Sequence, residues 1–508
     1  MSSAPSAPLP LQGAALAIAA TLLAFGNLMA VLDITIANVS IPNLAGGLAV
    51  SPSEATWIIT SYGVAEAVTV PLTGWLARSF GQVRTFCFAM AAFGVCSLLC
   101  GLTHSFGLLV FFRVLQGMTG APMIPLSQTL LLSIFPKDKA VVAGTIWTLG
   151  ASVGPIFGPL LGGVLCDQYS WEWIFLINVP FALGCSVAAW LLLRDREKPI
   201  AVQHIDVVGL ALLVLWAGSF QVMLDRGREL AWFGSPFIVG CLVIAVVGFI
   251  SWIVWELTEG QPIVDLTVFK SRGYTTLLLT YCLGYGAFFA NIVLSPLWMQ
   301  TTMDYTATQA AIAICPQGIV IIFLSKFIQK LMLRFDKRIL ICAGVMILAA
   351  VYGWRSFFAR DVTFQMIFLT HVAMGFGMAF LILPIFSTVL GNLPPSQIPA
   401  GAGMMSFVRT MSVAFSASVV TTVWDNSATV ARTGLLQGFD HVRSLGEGVA
   451  AGLTPEQALY ASDRAVQAES VMLATNHTYL WLAVLEIAAA LFVWFSPKPK
   501  VGAPPGKP

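Results

Sequence analysis

Long apolar stretches, one after another, fix what this chain can become. A helix that spans a bilayer needs about 20 apolar residues. Stretches of that kind start near Gly13, Glu54, Arg84, Phe106, Ala140, Trp173, Asp206, Ser235, Tyr274, Thr308, Arg338, Phe364, Gly401 and Thr478. They predict an all-α polytopic membrane protein with fourteen transmembrane helices. Of 508 residues, 57% are hydrophobic and 10% charged, whereas a globular protein carries about 25% charge. So few charges cannot cover a water-soluble surface of this size. Disordered chains are charge-rich and poor in aromatics, so disorder is excluded too. A net charge of +2 without a Lys/Arg cluster argues against nucleic acid as a partner.

An even number of spans puts both termini on one side, and the basic residues choose which. With cytoplasmic termini, sixteen Lys and Arg fall in inside segments, among them Arg78, Arg84, Lys137, Arg194, Lys270, Lys337 and Lys498. Seven fall outside: Arg226, Arg228, Arg355, Arg360, Arg432, Arg443 and Arg464. Both termini are therefore predicted to be cytoplasmic. The polar, partly acidic stretch 425–477 becomes an external loop, Ala-rich enough for a helix across Pro455–Leu473. It reads as a solvated cap or as a docking surface.

A weak internal repeat joins Gly74–Arg84, after the second span, to Ile328–Arg338, after the tenth. It predicts two six-helix bundles, 13–194 and 274–496, with two inserted linker helices within 205–256. Residues 1–12 and 497–508 are cytoplasmic tails. Met1–Gln12 is Ser/Pro-rich without a positive segment, unlike a cleaved signal. The nine cysteines lie in or beside apolar stretches with no metal-ligand spacing, so neither disulfides nor a metal site are expected.

Ionisable side chains inside a bilayer cost at least about 2.5–3.5 kcal/mol and are functional candidates by default. Six stand out: Asp33, Glu66, Arg113, Lys326, Arg409 and Glu486. Lys326 is close enough to its span's inner end to snorkel. Glu486, alone in the last span, fits bundle packing and function equally. At about 1.5 Å per residue, Asp33 lies about 12 Å and Arg113 about 11 Å from the outer end of their spans. They can share a level and relieve each other's desolvation. Glu66 falls near the midplane. A structural Asp33–Arg113 ion pair and a carboxylate that takes up and releases a proton both remain open; burial disfavours the charge and a cation favours it.

The fifth span reads Gly150-Ala-Ser-Val-Gly154-Pro155-Ile-Phe-Gly158-Pro159-Leu-Leu-Gly162-Gly163. Glycines every four residues make a bare stripe that lets another helix approach closely, and the prolines permit bending.

These residues resemble the major facilitator superfamily, specifically its fourteen-span drug:proton antiporter group and the EmrB-type multidrug exporters. Leu32-Asp33-Ile-Thr-Ile-Ala-Asn38-Val-Ser-Ile-Pro42 resembles that group's first-span signature, and Phe112-Arg113-Val-Leu-Gln116-Gly117 its fourth-span motif. The Gly/Pro stripe is similar to the antiporter motif. Trp171–Pro180, Leu224–Phe233 and Trp255–Arg272 strengthen the closer match. One departure stands in the loop between spans two and three. The superfamily usually has Asp where this chain has Arg78, and a basic pair where it has Gln82 and Val83. An acidic latch is therefore in doubt, while Gly74, Gly81 and Arg84 can still shape the turn.

The resemblance implies alternating access about a central cavity, driven by the proton gradient with no cofactor. It implies export of hydrophobic toxic compounds across the inner membrane of a bacterium. Asp33 would be the main protonation site, tuned by Arg113, with Glu66 a second carboxylate or substrate contact. Asn38, Gln116, Arg409 and His371 are further cavity candidates, and the glycine stripe would form the moving interface. EmrB-type exporters are understood to work with a periplasmic membrane-fusion adaptor (EmrA-like) and an outer-membrane channel (TolC-like), which gives 425–477 a docking role. The rival readings are a dedicated exporter of one metabolite, such as a fatty acid or siderophore, and a membrane enzyme. No enzyme is expected, because His104, His204, His371, His441 and His477 are scattered.

Overall fold

The structure, a computed structural model, describes residues 11–136, 139–197, 206–260, 262, 264–394, 397–438 and 454–497. Most of the two tails and the middle of the 425–477 stretch lie outside the described residues. The helices, in order, are α1 (Gly13–Val39), α2 (Ile41–Leu48), α3 (Pro52–Ala55), α4 (Trp57–Thr69), α5 (Thr73–Phe80), α6 (Gln82–Leu102) and α7 (Phe106–Gly120). Then come α8 (Met123–Ile134), α9 (Ala140–Gln168), α10 (Trp173–Leu176), α11 (Asn178–Leu193), α12 (Val207–Arg226), α13 (Pro236–Thr258) and α14 (Arg272–Thr302). The last six are α15 (Ala307–Ile314), α16 (Pro316–Arg334), α17 (Lys337–Arg355), α18 (Phe364–Gly391), α19 (Ile398–Gly438) and α20 (Pro455–Trp494). No strand occurs among the described residues.

Local chemistry sets the boundaries. Asp206 accepts from the Gly209 N–H at 2.9 Å, capping α12. Asp336 caps α17 through the Arg338 N–H at 3.0 Å. Thr454 and Gln457 form a reciprocal capping box at the start of α20. Pro71 sits in the 3₁₀ turn Val70–Leu72 that joins α4 to α5, so the second stretch is kinked rather than broken.

Among the described residues, twelve helices are long and apolar enough to cross a membrane. The first eleven helices pack mainly on one another, with α1 against α8, α9 and α11, α4 against α7, and α6 against α7 and α11. The last seven do likewise: α14 against α18, α19 and α20, α17 against α18 and α20, and α16 against α18. Between these groups, α12 and α13 lie against each other, and α12 touches both α4 and α19. The two groups meet where α8 and α5 reach α19 and where α9 reaches α15, α16 and α18.

The two longest helices carry the thirteenth and fourteenth stretches. At about 1.5 Å per residue, α19 and α20 each run about 60 Å, twice a hydrocarbon core of about 30 Å. Their excess length makes an antiparallel arm at one end of the bundle. Arg432 ties it to Asp463 at 2.6 Å, Arg464 ties α20 to Asp304 after α14, and Arg228 ties the α12–α13 turn to Asp425. The sequence expectation of a helix over Pro455–Leu473 is met, but as part of a helix that continues into the bundle. Arg355 departs from its expected place: it is fully buried, not in an outer segment. It closes the last turn of α17, where charge alone cannot tell an outward side chain from an inward one.

Candidate functional site

The polar centre of the first group is built on Asp33, less than two turns from the end of α1. Its Oδ2 receives Arg113 Nη1 from α7 at 2.5 Å, and its Oδ1 receives Gln116 Nε2 at 3.0 Å and Asn178 Nδ2 at 2.9 Å. Arg113 and Gln116 are one turn apart on α7, so both side chains leave the same face. Ser97 of α6 accepts from Gln116 and Asn178 and donates to the Phe175 carbonyl at 2.9 Å. Arg113 also donates Nε to the Ile58 carbonyl at 3.0 Å and Nη1 to Gln116 Oε1 at 2.9 Å. Asp33 and Arg113 have side-chain exposures of 1% and 0%. Three donors on three side chains fix the position of the carboxyl. Hydrogen bonds to charged groups are worth more than neutral ones, and removing one partner leaves the other charge buried.

A path of polar contacts leads from this centre to the other group. The Arg113 guanidinium lies 4.2 Å from the ring centroid of Tyr62, on α4. The Tyr62 hydroxyl is buried with no hydrogen-bond partner, and it interacts electrostatically with Glu66, one turn further along α4, and with Arg409. Glu66 in turn receives Thr410 Oγ1 of α19 at 3.4 Å and has Arg409 as its strongest charged neighbour. Arg409 has Tyr285 and Tyr281 of α14 as electrostatic neighbours. Asp33, Arg113, Tyr62, Glu66 and Arg409 thus form one series that begins in α1 and ends across the junction in α19.

Two expected cavity residues belong elsewhere or are not described. The Asn38 side chain lies outside the described residues. His371 is fully buried in α18. Its Nδ1 pairs with the Ile367 carbonyl at 3.0 Å and its Nε2 with Ser295 Oγ at 3.3 Å. Ser295 also accepts from Arg355 Nη2 at 2.9 Å, while Arg355 Nη1 donates to Asn291 Oδ1 at 2.9 Å. Tyr479 donates to that same Asn291 oxygen at 3.2 Å, and its ring lies 4.3 Å beneath the guanidinium. This second polar centre escaped the sequence reading, because Asn291, Ser295 and Tyr479 carry no charge and Arg355 looked external. In the first centre, Ser97, Tyr62 and Asn178 were not assigned roles. A polar residue inside a long apolar run was the available signal for each.

The glycine stripe packs within one group. A Cβ added at Gly150 would stand 2.6 Å from the Ala24 carbonyl oxygen, and one at Gly154 2.9 Å from Val31. Gly158 meets Thr35, whose hydroxyl donates to the Gly154 carbonyl at 3.2 Å, and Gly162 meets the Ile36 carbonyl at 3.0 Å. All four neighbours are on α1. This corrects the expectation of a moving interface: the stripe lets α9 lie directly on the helix that carries Asp33. The α9–α16 junction is made elsewhere, as where Gln329 donates to Thr145 at 2.8 Å. Gly163 faces open space, and the side chains of Pro155 and Pro159 lie outside the described residues.

The turn after α5 acquires its acid from afar. Gly81 has φ +94°, and a side chain there would strike the Glu197 carboxylate. That carboxylate accepts the Arg84 N–H at 2.9 Å and the Val83 N–H at 3.4 Å, so it sits on the first turn of α6. Arg78 borders a cavity of about 750 Å³ with Glu256, Glu259, Asp265 and Lys270, and Asp265 is its charged neighbour. Gly74 stands close to Ala400 at the start of α19.

Comparison with known proteins agrees with this architecture. A family model described as Major Facilitator Superfamily matches residues 23–417. The chain is 39% identical over 500 residues to the multidrug export protein EmrB of Escherichia coli K12, covering 97% of this chain and 98% of the relative. It is 35% identical over 495 residues to the fatty acid resistance protein FarB of Neisseria gonorrhoeae, covering 96% and 98%. In fold it is similar to the human organic anion transporter MFSD10 (TETRAN), with TM-score 0.60 and 13% identity over 95% of this chain and all of that one.

Proposed function

The chain belongs to the major facilitator superfamily, and from that premise we propose that it exports hydrophobic toxic compounds in exchange for protons. It is a multi-pass membrane transporter rather than an enzyme. The observation that carries the proposal is the buried series from Asp33 through Arg113, Tyr62 and Glu66 to Arg409. A proton arriving on a carboxylate held by three donors weakens all three contacts at once. Because the series reaches α19, that loss is felt at the junction between the two groups of helices. Down 100 mV, one proton supplies about 2.3 kcal/mol, enough to bias such a junction. Glu66, Thr410 and Arg409 are the groups placed to meet a substrate between the halves.

In this reading the spans number fourteen: the twelve above, the kinked Trp57–Phe80 stretch and the 29-residue α9. Residues 13–194 and 274–496 are the rocking halves, with 205–256 as linkers. Both termini face the cytoplasm of a bacterium's inner membrane, and no cofactor is needed beyond the proton gradient. The α19–α20 arm then projects into the periplasm, where its length suits docking of an EmrA-like adaptor that leads to a TolC-like channel. The 39% identity to a multidrug export protein favours a broad substrate range, and the 35% identity to a fatty acid resistance protein favours the dedicated-exporter reading.

The test is efflux from vesicles holding the purified protein, against a panel of lipophilic dyes, drugs and fatty acids under an imposed pH gradient. Gradient-driven transport of several unrelated compounds is expected; transport of one class only selects the dedicated exporter. Transport indifferent to the gradient would overturn proton coupling.

A further inference from the structure

Glu486 is the buried acid that the series above does not use. It sits in α20, eight residues before Trp494 and so about 12 Å from that helix end. It is fully buried, and neither carboxyl oxygen has a hydrogen-bond partner among the described residues. From α14 it is approached by Gly284, where even a Cβ would stand 3.4 Å from Oε2, with Leu381 of α18 beside it. From α17 its titratable neighbour is Tyr352. Of the tyrosines on α14, Tyr281 and Tyr285 are electrostatic neighbours of Arg409 of α19 instead. No cation is recorded against Glu486 among the described residues.

The same half holds a mirror-image orphan. Of its buried arginines, Arg338 pairs with Asp336 and Arg409 faces Glu66, but Arg355 is held only by neutral groups, with Nε unpartnered. Between the lone acid and the lone base stand two stacked tyrosines, Tyr352 and Tyr479, with ring centroids 6.2 Å apart. Tyr352 interacts electrostatically with both Glu486 and Arg355. An ionised carboxylate with no donor and no cation in a dry interior is strongly disfavoured, so Glu486 holds its proton in this conformation.

We propose that Glu486 is a second proton-binding carboxyl, housed in the C-terminal half, whose ionised state Arg355 balances across the Tyr352–Tyr479 pair. The step is a proton transfer: the carboxyl O–H breaks, water admitted by a rearrangement of α14, α17 and α20 takes the proton, and the carboxylate remains opposite the guanidinium. The unpaired charge of Arg355 then becomes one member of a separated pair. The inference rests on the proton-coupled reading, and it adds a site that Asp33 does not supply.

The experiment uses the full chain in vesicles, with whichever lipophilic dye of a panel the wild type transports. The dye's accumulation ratio is measured against the imposed pH gradient for wild type, E486Q, E486D and D33N. One proton fewer per dye lowers the accumulation ratio by about ten-fold for each pH unit of gradient. E486Q is expected to show that loss and E486D to restore the wild-type dependence. In parallel, the infrared carbonyl band of a protonated carboxyl at neutral pH is expected to weaken in E486Q, which reads the proton without relying on transport. An unchanged gradient dependence in E486Q, beside a lost one in D33N, would overturn this site alone. Gradient-independent transport by the wild type would overturn the antiport reading and this proposal with it. An E486Q chain that keeps the full carbonyl band would show that the residue never held the proton.

Discussion

The two buried arginine centres share a plan and differ in the group at its heart. Arg113 and Arg355 each lie about one ring-stacking distance from a tyrosine, at 4.2 and 4.3 Å from the centroids of Tyr62 and Tyr479. Each donates to a short polar side chain on its half's first helix, Asp33 on α1 or Asn291 on α14. Each centre also holds a buried serine, Ser97 or Ser295. The first centre has a carboxylate where the second has an amide. An amide keeps one charge state, so the second centre is fixed at that position while the first can change. In the proton-coupled reading, the difference teaches where the halves divide their labour: one centre would answer to protons directly, and the other would keep its geometry while its half's spare carboxyl lies about two turns away along α20, at Glu486.

Replacing either member of the first pair breaks that contrast with the largest expected effect. Asp33→Asn turns the first centre into a likeness of the second. Because Arg355 already persists beside an asparagine, this variant is expected to fold with a melting midpoint within a few degrees of wild type and to lose gradient-driven transport at least about ten-fold. Arg113→Ala instead leaves a buried carboxylate unpaired, which costs about 3–5 kcal/mol and lowers the thermal midpoint in detergent. If both variants melted alike, the second centre would be no guide to the first. Undiminished coupled transport by Asp33→Asn would remove that residue from the coupling site.

The glycine stripe sharpens the comparison next, because α9 lies on α1 and has no similar duty toward Asn291. Gly158→Val forces a branched side chain against Thr35, two residues from Asp33. Overpacking of this kind costs about 1–3 kcal/mol. The expected outcome is a lower midpoint together with altered pH dependence of transport, since α1 must shift. A stable variant with wild-type transport would show that α9 does not position the first centre.

Asn291→Asp tests the comparison from the other side. It gives Arg355 a carboxylate partner, worth about 1–2 kcal/mol once desolvation is offset. The stabilisation is expected at neutral pH, where the introduced acid is ionised beside the guanidinium, and is lost on acidification as it gains a proton. Midpoints measured across pH check the sign. A variant less stable at neutral pH would mean that the second centre has no room for a charge.

What was legible in the sequence follows from range. Each long helix announces itself through its own residues, and a charge inside an apolar run marks itself, so the spans, Asp33, Glu66, Arg113 and Arg409 could be read directly. Asp33 and Arg113 could even be paired, because helical rise sets depth. Asn291, Ser295 and Tyr479 are neutral and matter only through Arg355, and Arg355 sits at a helix end where side-chain direction depends on packing. The partner of the glycine stripe was misread for a similar reason. Spacing gives the bare face but not which helix lies on it.

The two basic turns make that lesson testable at the smallest scale. Both start a helix, α6 or α17, with a carboxylate on its exposed N–H groups. For α17 the acid is Asp336, adjacent in sequence and visible as a cap, and it also pairs with Arg338 at 2.9 Å. For α6 the acid is Glu197, more than a hundred residues downstream, which brings the end of α11 to the turn at Gly81. An anion at a helix N-terminus contributes about 0.3–1 kcal/mol. Glu197→Gln is therefore expected to cost about that much, and Asp336→Asn more, because it also removes the charged partner of the buried Arg338 guanidinium and leaves it the Ser496 carbonyl. Beyond stability, Glu197 is the contact that fixes the α5–α6 turn to the end of α11, so its loss frees the turn, whereas loss of Asp336 leaves its own turn covalently in place. Amide hydrogen exchange over residues 81–86 should rise in Glu197→Gln while residues 335–340 stay protected. Equal protection at both turns in that variant would mean that Arg78, with Asp265, holds the first turn without Glu197.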